Sequence, residues 1–250
     1  GLLHDKSVLI TAAAGAGIGF SAAVRAAEEG CRALMISDIH EGRLAEAVSK
    51  IRETTGLQQV FGQVCNVADE VQVQQLIACA ERDLQGVDVL INNAGLGGSR
   101  LLVDMTDEEW NRVLDVTLTG TMRMTRAMLP KMIERRAGVI VNNASVLGWR
   151  AQKEQSHYAA AKAGVMALTR CAAVEAADYG IRINAVSPSI ALHDFLRKSA
   201  PQAVLDQLAA NEAFGRAAEV WEVANVMMFL ASDYSSYMTG EVLSVSSQRA

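Results

Sequence analysis

The sequence predicts an α/β fold: a doubly wound parallel sheet of about seven strands, helices on both faces, in a single domain. Three observations carry this. Short apolar runs alternate with longer amphipathic segments along all 250 residues. Within the runs apolar residues stand at consecutive positions, as in Val89, Leu90 and Ile91, which suits strands covered on both faces. Composition removes the competitors: 50% hydrophobic residues rule out disorder, and 19 Gly and 3 Pro without a period rule out collagen-like or repeat architecture.

The elements follow in order. Residues 7–11 form the first strand, and a glycine-rich turn leads into a helix closed by Glu28-Glu29-Gly30. Residues 33–37 are the second strand and 41–54 the second helix; 60–64 and 69–84 repeat the unit, and 87–91 is a fourth strand. A long helix over 107–135 precedes a strand at 138–142, and a helix over 156–179 precedes a strand at 181–186. Residues 219–230 and 241–245 give the last helix and strand. Between them, 187–218 reads as strand-free and is too long for an ordinary loop, which makes it a candidate substrate lid.

Charge narrows the function classes. Lys and Arg number 23 against 28 Asp and Glu, a net charge of −5, with no basic block longer than Arg135-Arg136, so a nucleic-acid footprint is not expected. Residues 7–24 are an uncharged run of membrane-span length, but Gly15, Gly17, Gly19 and the small residues Ala12 to Ala14 suit a strand, turn and helix start better. No basic region precedes that run, so a signal peptide is not expected either. Cys31, Cys65, Cys79 and Cys171 are scattered without metal-like spacing. They read as reduced, mostly buried residues of a cytoplasmic protein, with no metal.

The turn reads Thr11-Ala12-Ala13-Ala14-Gly15-Ala16-Gly17-Ile18-Gly19. Glycines between a buried strand and a helix let backbone N–H groups meet a pyrophosphate at the helix N-terminus. A strict G-x-G-x-x-G needs glycine where Phe20 stands, so on its own the turn is equally a packing device. Asp38, at the end of the second strand, is placed to accept hydrogen bonds from a ribose and to repel a 2′-phosphate, predicting NAD over NADP. Its alternative role is to cap the following helix, and His40 and Arg43 nearby leave room for NADP.

Four motifs in order then mark a family: Gly17-Ile18-Gly19, Asn92-Asn93-Ala94-Gly95 after the fourth strand, Ser145, and Tyr158-x-x-x-Lys162. With these the chain resembles the short-chain dehydrogenase/reductases over essentially its whole length. Tyr158 and Lys162, four apart, share one helix face. A phenol with an ordinary pKa near 10 is a poor base at neutral pH, and a neighbouring ammonium together with the positive nicotinamide ring would favour its phenolate. Ser145 is placed to hold the substrate oxygen at that phenol. The resemblance implies a Rossmann-type NAD(P) domain and hydride exchange between a secondary alcohol and a ketone. It further implies that Gly15, Gly17, Ile18, Gly19, Asn66, Val67, Asn93, Ala94, Gly95, Tyr158, Lys162 and the backbone of Ile190 line the cofactor cleft.

Several positions depart from the family pattern. Thr11-Ala12 stands for Thr-Gly, Asn66 for Asp, Pro188-Ser189 for Pro-Gly and Ser246-Ser247 for Gly-Gly. Thr117 stands where Asn is common, which makes it a candidate fourth member of the centre or simply a core helix residue. Residues 96–101, 146–154 and 189–214 are expected to approach the substrate, with Trp149, Leu192, Phe195 and Leu196 favouring a bulky apolar one. Arg100, Arg150, Arg197 and Lys198 could meet a carboxylate or a carrier phosphate, or be solvated surface charges. The overall likeness is to the 3-oxoacyl thioester reductase branch. The first turn with Ser37-Asp38-Ile39-His40-Glu41 is also similar to actinobacterial reductases of CoA thioesters of steroid-ring fragments. The family commonly forms tetramers or dimers through the two long helices, here bearing Ala159, Ala160, Ala163 and Ala167. A dinucleotide sensor or scaffold without catalysis is the alternative that the same fold allows.

Overall fold

The computed structural model describes residues 1–192 and 202–247. Its strands are β1 (Ser7–Ile10), β2 (Ala33–Asp38), β3 (Val60–Val64), β4 (Val89–Asn92), β5 (Gly138–Asn143), β6 (Ile181–Pro188), β7 (Ala191–Leu192), β8 (Ala218–Glu219) and β9 (Val242–Val245). Seven of them pair in parallel as one sheet in the order β3-β2-β1-β4-β5-β6-β9, and β7 pairs with β8 apart from it.

The apolar runs explain the layering. Alternate residues of a strand face opposite sides, and β1 sends Val8 and Ile10 into one core and Leu9 into the other. The first core packs against α1 (Ile18–Glu28), α2 (Glu41–Thr55) and α8 (Val220–Ala231) through Ala22, Ala23, Ala26, Ile51, Met227 and Met228. The second packs against α3 (Glu70–Asp83), α5 (Gly120–Arg135) and α6 (Ser156–Ala177). Both cores include residues with no exposure, so the sheet is the buried middle of three layers.

One expectation is refined and one corrected. The helix expected over 107–135 is α4 (Asp107–Leu114), opened by a Thr106–Glu109 capping box, and α5, joined by a π-helical turn at Asp115–Thr119. Such a turn inserts one residue into a helix, and π-turns collect at functional sites. The stretch 187–218 is not strand-free. β6 runs on to Pro188, Ala191 and Leu192 pair with Ala218 and Glu219, and α7 (Gln202–Asn211) lies between. Strands of two residues are too short to show a period. Phe195, Leu196, Arg197 and Lys198 lie outside the described residues.

The sheet reverses direction of growth between β1 and β4, which opens a crevice beyond their carboxyl ends. The turn after β1, Asn93 after β4, Ser145 after β5 and Ser189 after β6 all follow strand ends at that edge.

Candidate active site

The turn after β1 is built for a close approach. Gly17 precedes the first turn of α1, and no side chain among the described residues caps that helix start. A side chain at Gly15 or Gly17 would enter open space, whereas a Cβ at Gly19 would lie 2.4 Å from Asn93 Nδ2 and 2.6 Å from the Ala12 carbonyl. Gly17 thus leaves the helix start open, and Gly19 lets α1 lie against Asn93. Ala12, in the family's glycine position, takes a left-handed φ of 51°.

Asp38 is buried and turned toward this loop. Its Oδ2 accepts the Ala14 N–H at 3.3 Å, its Oδ1 accepts the His40 N–H at 3.1 Å, and Arg43 Nη2 stands 3.6 Å away. Burial raises its pKa above the usual carboxylate value, opposed by the Ala14 N–H and the Arg43 charge. The residue before α2 is His40, so Asp38 pins the turn rather than serving as that helix's N-cap. Asn66 Oδ1 accepts the Ala68 N–H at 3.0 Å, folding the side chain on its own loop. Val67 lies where a Cβ on Gly120 would come within 2.7 Å.

Across the crevice Tyr158 and Lys162 rise from the first turns of α6. Lys162 is 3% exposed, and its Nζ donates to the Asn143 carbonyl at 2.5 Å and lies 5.6 Å from the centre of the Tyr158 ring. Burial lowers its pKa to about 8. The half-buried Tyr158 phenol is pushed up to about 12 by desolvation, against a hydrogen bond with Ser145 that lowers it. Burial thus favours the neutral phenol, a form that can donate a proton, in the protein alone; the positive ring that the expectation paired with the Lys162 ammonium comes only with a cofactor. Ser145 ends β5's extension, and its Oγ also accepts the Leu147 N–H at 3.2 Å. A phenol, a hydroxyl and a buried amine in this order can hydrogen-bond a carbonyl oxygen, protonate it and offset the negative charge left behind.

Thr117 sits in the π-turn with no exposure. Its Oγ1 accepts the Leu96 N–H at 2.9 Å and donates to the Leu96 carbonyl at 3.0 Å, while its own carbonyl accepts the Thr121 hydroxyl at 2.8 Å. Gly95 lies between it and the amine, because a Cβ there would be 3.4 Å from Lys162 Nζ and 3.9 Å from Thr117 Oγ1. The loop beyond is stitched to the start of α6. Gln155 Nε2 donates to the Gly98 carbonyl at 2.7 Å, the Arg100 N–H to the Glu154 carbonyl at 3.1 Å, and Ser99 Oγ to Glu154 Oε2 at 2.5 Å.

The expected substrate side is looser. Trp149 is 51% and Phe214 77% exposed. Arg100 pairs with Glu109 at 2.6 Å, so it is a surface ion pair. Arg150 lies 4.0 Å from the buried Glu212, which also accepts Ser247 Oγ at 3.3 Å. The Ile190 carbonyl accepts the Ala218 N–H at 2.9 Å. All four cysteines are free; Cys31 and Cys65 are buried, but Cys79 is only partly so and Cys171 is exposed, correcting the expectation of mostly buried thiols. Among the described residues no cluster could hold a metal, and no helix is long and apolar enough to cross a membrane. Sequence reasoning missed Asn143, the carbonyl partner of Lys162; the signal was the repeated Asn-Asn at the ends of two adjacent strands.

The family described as enoyl-(acyl carrier protein) reductase matches residues 12–247. The chain is 61% identical over 249 residues to the (5R,7aS)-5-hydroxy-7a-methyl-1-oxo-2,3,5,6,7,7a-hexahydro-1H-indene-carboxyl-CoA reductase of Mycobacterium tuberculosis, covering 99% of this chain and 94% of that protein. It is 37% identical to a 3-oxoacyl-(acyl-carrier-protein) reductase of Thermotoga maritima over 97% of each. A crystal structure of a short chain dehydrogenase from Mycobacterium smegmatis superposes with a TM-score of 0.89 at 58% identity, covering 100% of this chain and 95% of that one.

Proposed function

The chain belongs to the short-chain dehydrogenase/reductase family and is an oxidoreductase of its alcohol–ketone class, and on that premise we propose that it works on the CoA thioester of a fused-ring carboxylic acid, with NAD(H). The observation that carries the chemistry is the convergence of Ser145, Tyr158 and Lys162, linked through Asn143 and Asn93 to the glycine-rich turn.

A dinucleotide fits the residues present. The open helix start, the Cβ-free faces of Gly15 and Gly17, and the N–H groups from Gly17 to Gly19 suit a pyrophosphate. Asp38 suits a ribose diol and disfavours a 2′-phosphate. Asn66 and Val67 would flank the adenine, and Asn93, Ala94, Gly95, Lys162 and Ile190 would line the nicotinamide half. When bound, this cofactor supplies the hydride and, oxidised, a positive ring that favours phenolate on Tyr158.

The chain's own groups handle the oxygen. The Ser145 hydroxyl donates to the ketone oxygen and orients it. Tyr158 then gives that oxygen its phenolic proton, and the Lys162 ammonium offsets the phenolate charge. In the alcohol direction the same groups act in reverse, Tyr158 taking the proton. Thr117 holds Leu96 and so keeps the Gly95 loop beside Lys162.

The substrate class follows from the relative acting on an indene carboxyl-CoA ester and from apolar surface at Trp149, Leu192 and Phe214. Residues 187–218 act as its lid within one catalytic domain spanning 1–250. The exposed Ala160 and Ala167, with Val174 on the same face of α6, suit helix packing in a homotetramer, and the free cysteines suit a cytoplasmic protein. The test is a turnover panel: a fused-ring ketone CoA thioester and a linear 3-oxoacyl-CoA, each with NADH and NADPH. The proposal expects the fused-ring thioester with NADH to give the highest kcat/KM. Preference for the linear thioester or for NADPH would overturn the corresponding part. Binding of NADH without turnover of any ketone would favour a sensor.

A further inference from the structure

Two asparagine doublets stand at the ends of neighbouring strands: Asn92 closes β4 and Asn93 follows it, while Asn142-Asn143 closes β5, with Asn92 opposite Asn142. Successive strand residues face opposite sides, so each doublet sends one amide to each side of the sheet. The first pair is a core fastening. Asn92 Nδ2 donates to Asn142 Oδ1 at 2.9 Å and to Thr125 Oγ1 at 3.1 Å, and Asn142 Nδ2 donates to Thr169 Oγ1 at 2.9 Å.

The second pair lies between the glycine-rich turn and Lys162. Asn93 Nδ2 donates to the carbonyls of Thr11 and Ala12 at 3.1 and 3.0 Å. Two carbonyls thus claim the amide's donor, and its oxygen must face the other way. There Asn143 Nδ2 donates to it at 2.9 Å. Asn143 also presents its backbone carbonyl to Lys162 Nζ at 2.5 Å. Its own Oδ1 is buried with no partner among the described residues. The contact that the Asn143 side chain makes within the protein is therefore through its donor, to Asn93 Oδ1.

We propose that Asn143 is a positioning residue that ties the glycine-rich turn to Lys162. Its amide fixes the rotation of Asn93 against the turn, and its carbonyl fixes the amine. The inference rests on the role given to Lys162 above. It also makes a chemical demand: only a donor at position 143 satisfies the Asn93 oxygen. Aspartate has the same shape, yet sets acceptor against acceptor; leucine has similar bulk and no donor; serine keeps a shorter donor.

The test compares Asn143→Asp, Asn143→Leu and Asn143→Ser with wild type for dinucleotide KM, ketone KM, kcat and Tm, with Lys162→Met in parallel. Loss of one hydrogen bond to a neutral acceptor corresponds to about a fivefold effect. The expected result is a rise of roughly fivefold or more in dinucleotide KM for Asn143→Asp and Asn143→Leu, a smaller rise for Asn143→Ser, and little change in ketone KM. A packing role alone would lower Tm and leave dinucleotide KM in place. Folded Asn143→Asp or Asn143→Leu with wild-type dinucleotide KM and kcat would overturn the proposal; if either fails to fold, the other decides. Should Lys162→Met keep full turnover, the reading of Lys162 fails instead. An inactive Lys162→Met beside unaffected Asn143 variants removes only the present inference.

Discussion

The two banks of the crevice are built by different means. On the β1 side the turn is held by side chains answering backbone groups: Asn93 on the Thr11 and Ala12 carbonyls, Thr11 Oγ1 on the Asn93 and Ala94 N–H groups at 3.0 Å each, and Asp38 on the Ala14 N–H. On the far side Trp149 and Phe214 stand largely in solvent, and the tie between Arg150 and Glu212 is a 4.0 Å contact. A buried backbone group accepts only a partner of the right polarity, so the first bank dictates residue types. The second asks only for bulk and apolar surface. The first bank therefore suits a ligand of fixed shape, and the second can be remodelled for one substrate or another.

The sharpest way to break the first bank is Gly19→Ala. Its Cβ would meet Asn93 Nδ2 at 2.4 Å and the Ala12 carbonyl at 2.6 Å, the latter backbone. Overpacking of this kind costs about 1–3 kcal/mol, and it displaces Asn93 from the turn. Titration calorimetry should show dinucleotide binding lost, with Tm lowered; unchanged affinity would show that the turn does not depend on this contact.

A second effect appears with pH. Burial takes the Lys162 pKa down from 10.5 to about 8, while Tyr158 goes up from 10 to about 12. The first charge lost as pH rises is thus that of Lys162, and with it the offset for phenolate on Tyr158. In ketone reduction kcat/KM should fall with unit slope as pH rises through about 8. The sign for stability is opposite. Between about 8 and 10.5 the unfolded chain holds the lysine proton and the folded chain does not, so this group's contribution to stability rises with pH there. A flat pH–rate profile through this window would remove Lys162 from the proton chemistry.

On the other bank, Trp149→Ala should raise the KM of a fused-ring ketone about tenfold, the scale of a modest apolar contact in a pocket, and leave dinucleotide KM as it was. Equal effects on both ligands would erase the contrast between the banks. The smallest effect is a gain. Ala12 holds a left-handed φ of 51°, which costs an L-residue about 1–2 kcal/mol, and glycine returns roughly 0.5–1 kcal/mol of that as chain entropy. Ala12→Gly should raise stability by somewhat under about 1 kcal/mol, read by denaturant unfolding.

The same contrast decides what the sequence could reveal. The strands were legible because Val8, Leu9 and Ile10 are apolar on both faces, and the first bank because Gly17, Gly19 and Asn93 have residue types forced by backbone geometry. The π-turn at Asp115–Thr119 was not, since inserting one residue leaves Val113, Thr117 and Thr121 buried as an ordinary helix would. Asn143 escaped because its use depends on a neighbour fifty positions away in sequence, Asn93. The pairing of Ala191 and Leu192 with Ala218 and Glu219 escaped because two residues carry no period.

The central claim is that Tyr158 moves the proton within an otherwise intact binding site. Tyr158→Phe removes one hydroxyl and leaves the ring against the loop at Gly97. NADH affinity and steady-state ketone reduction, measured on the same preparation, test it directly. Wild-type NADH affinity is expected, with turnover reduced about 100-fold to 10,000-fold, the usual worth of a positioned acid–base group. Turnover within a few-fold of wild type would contradict it.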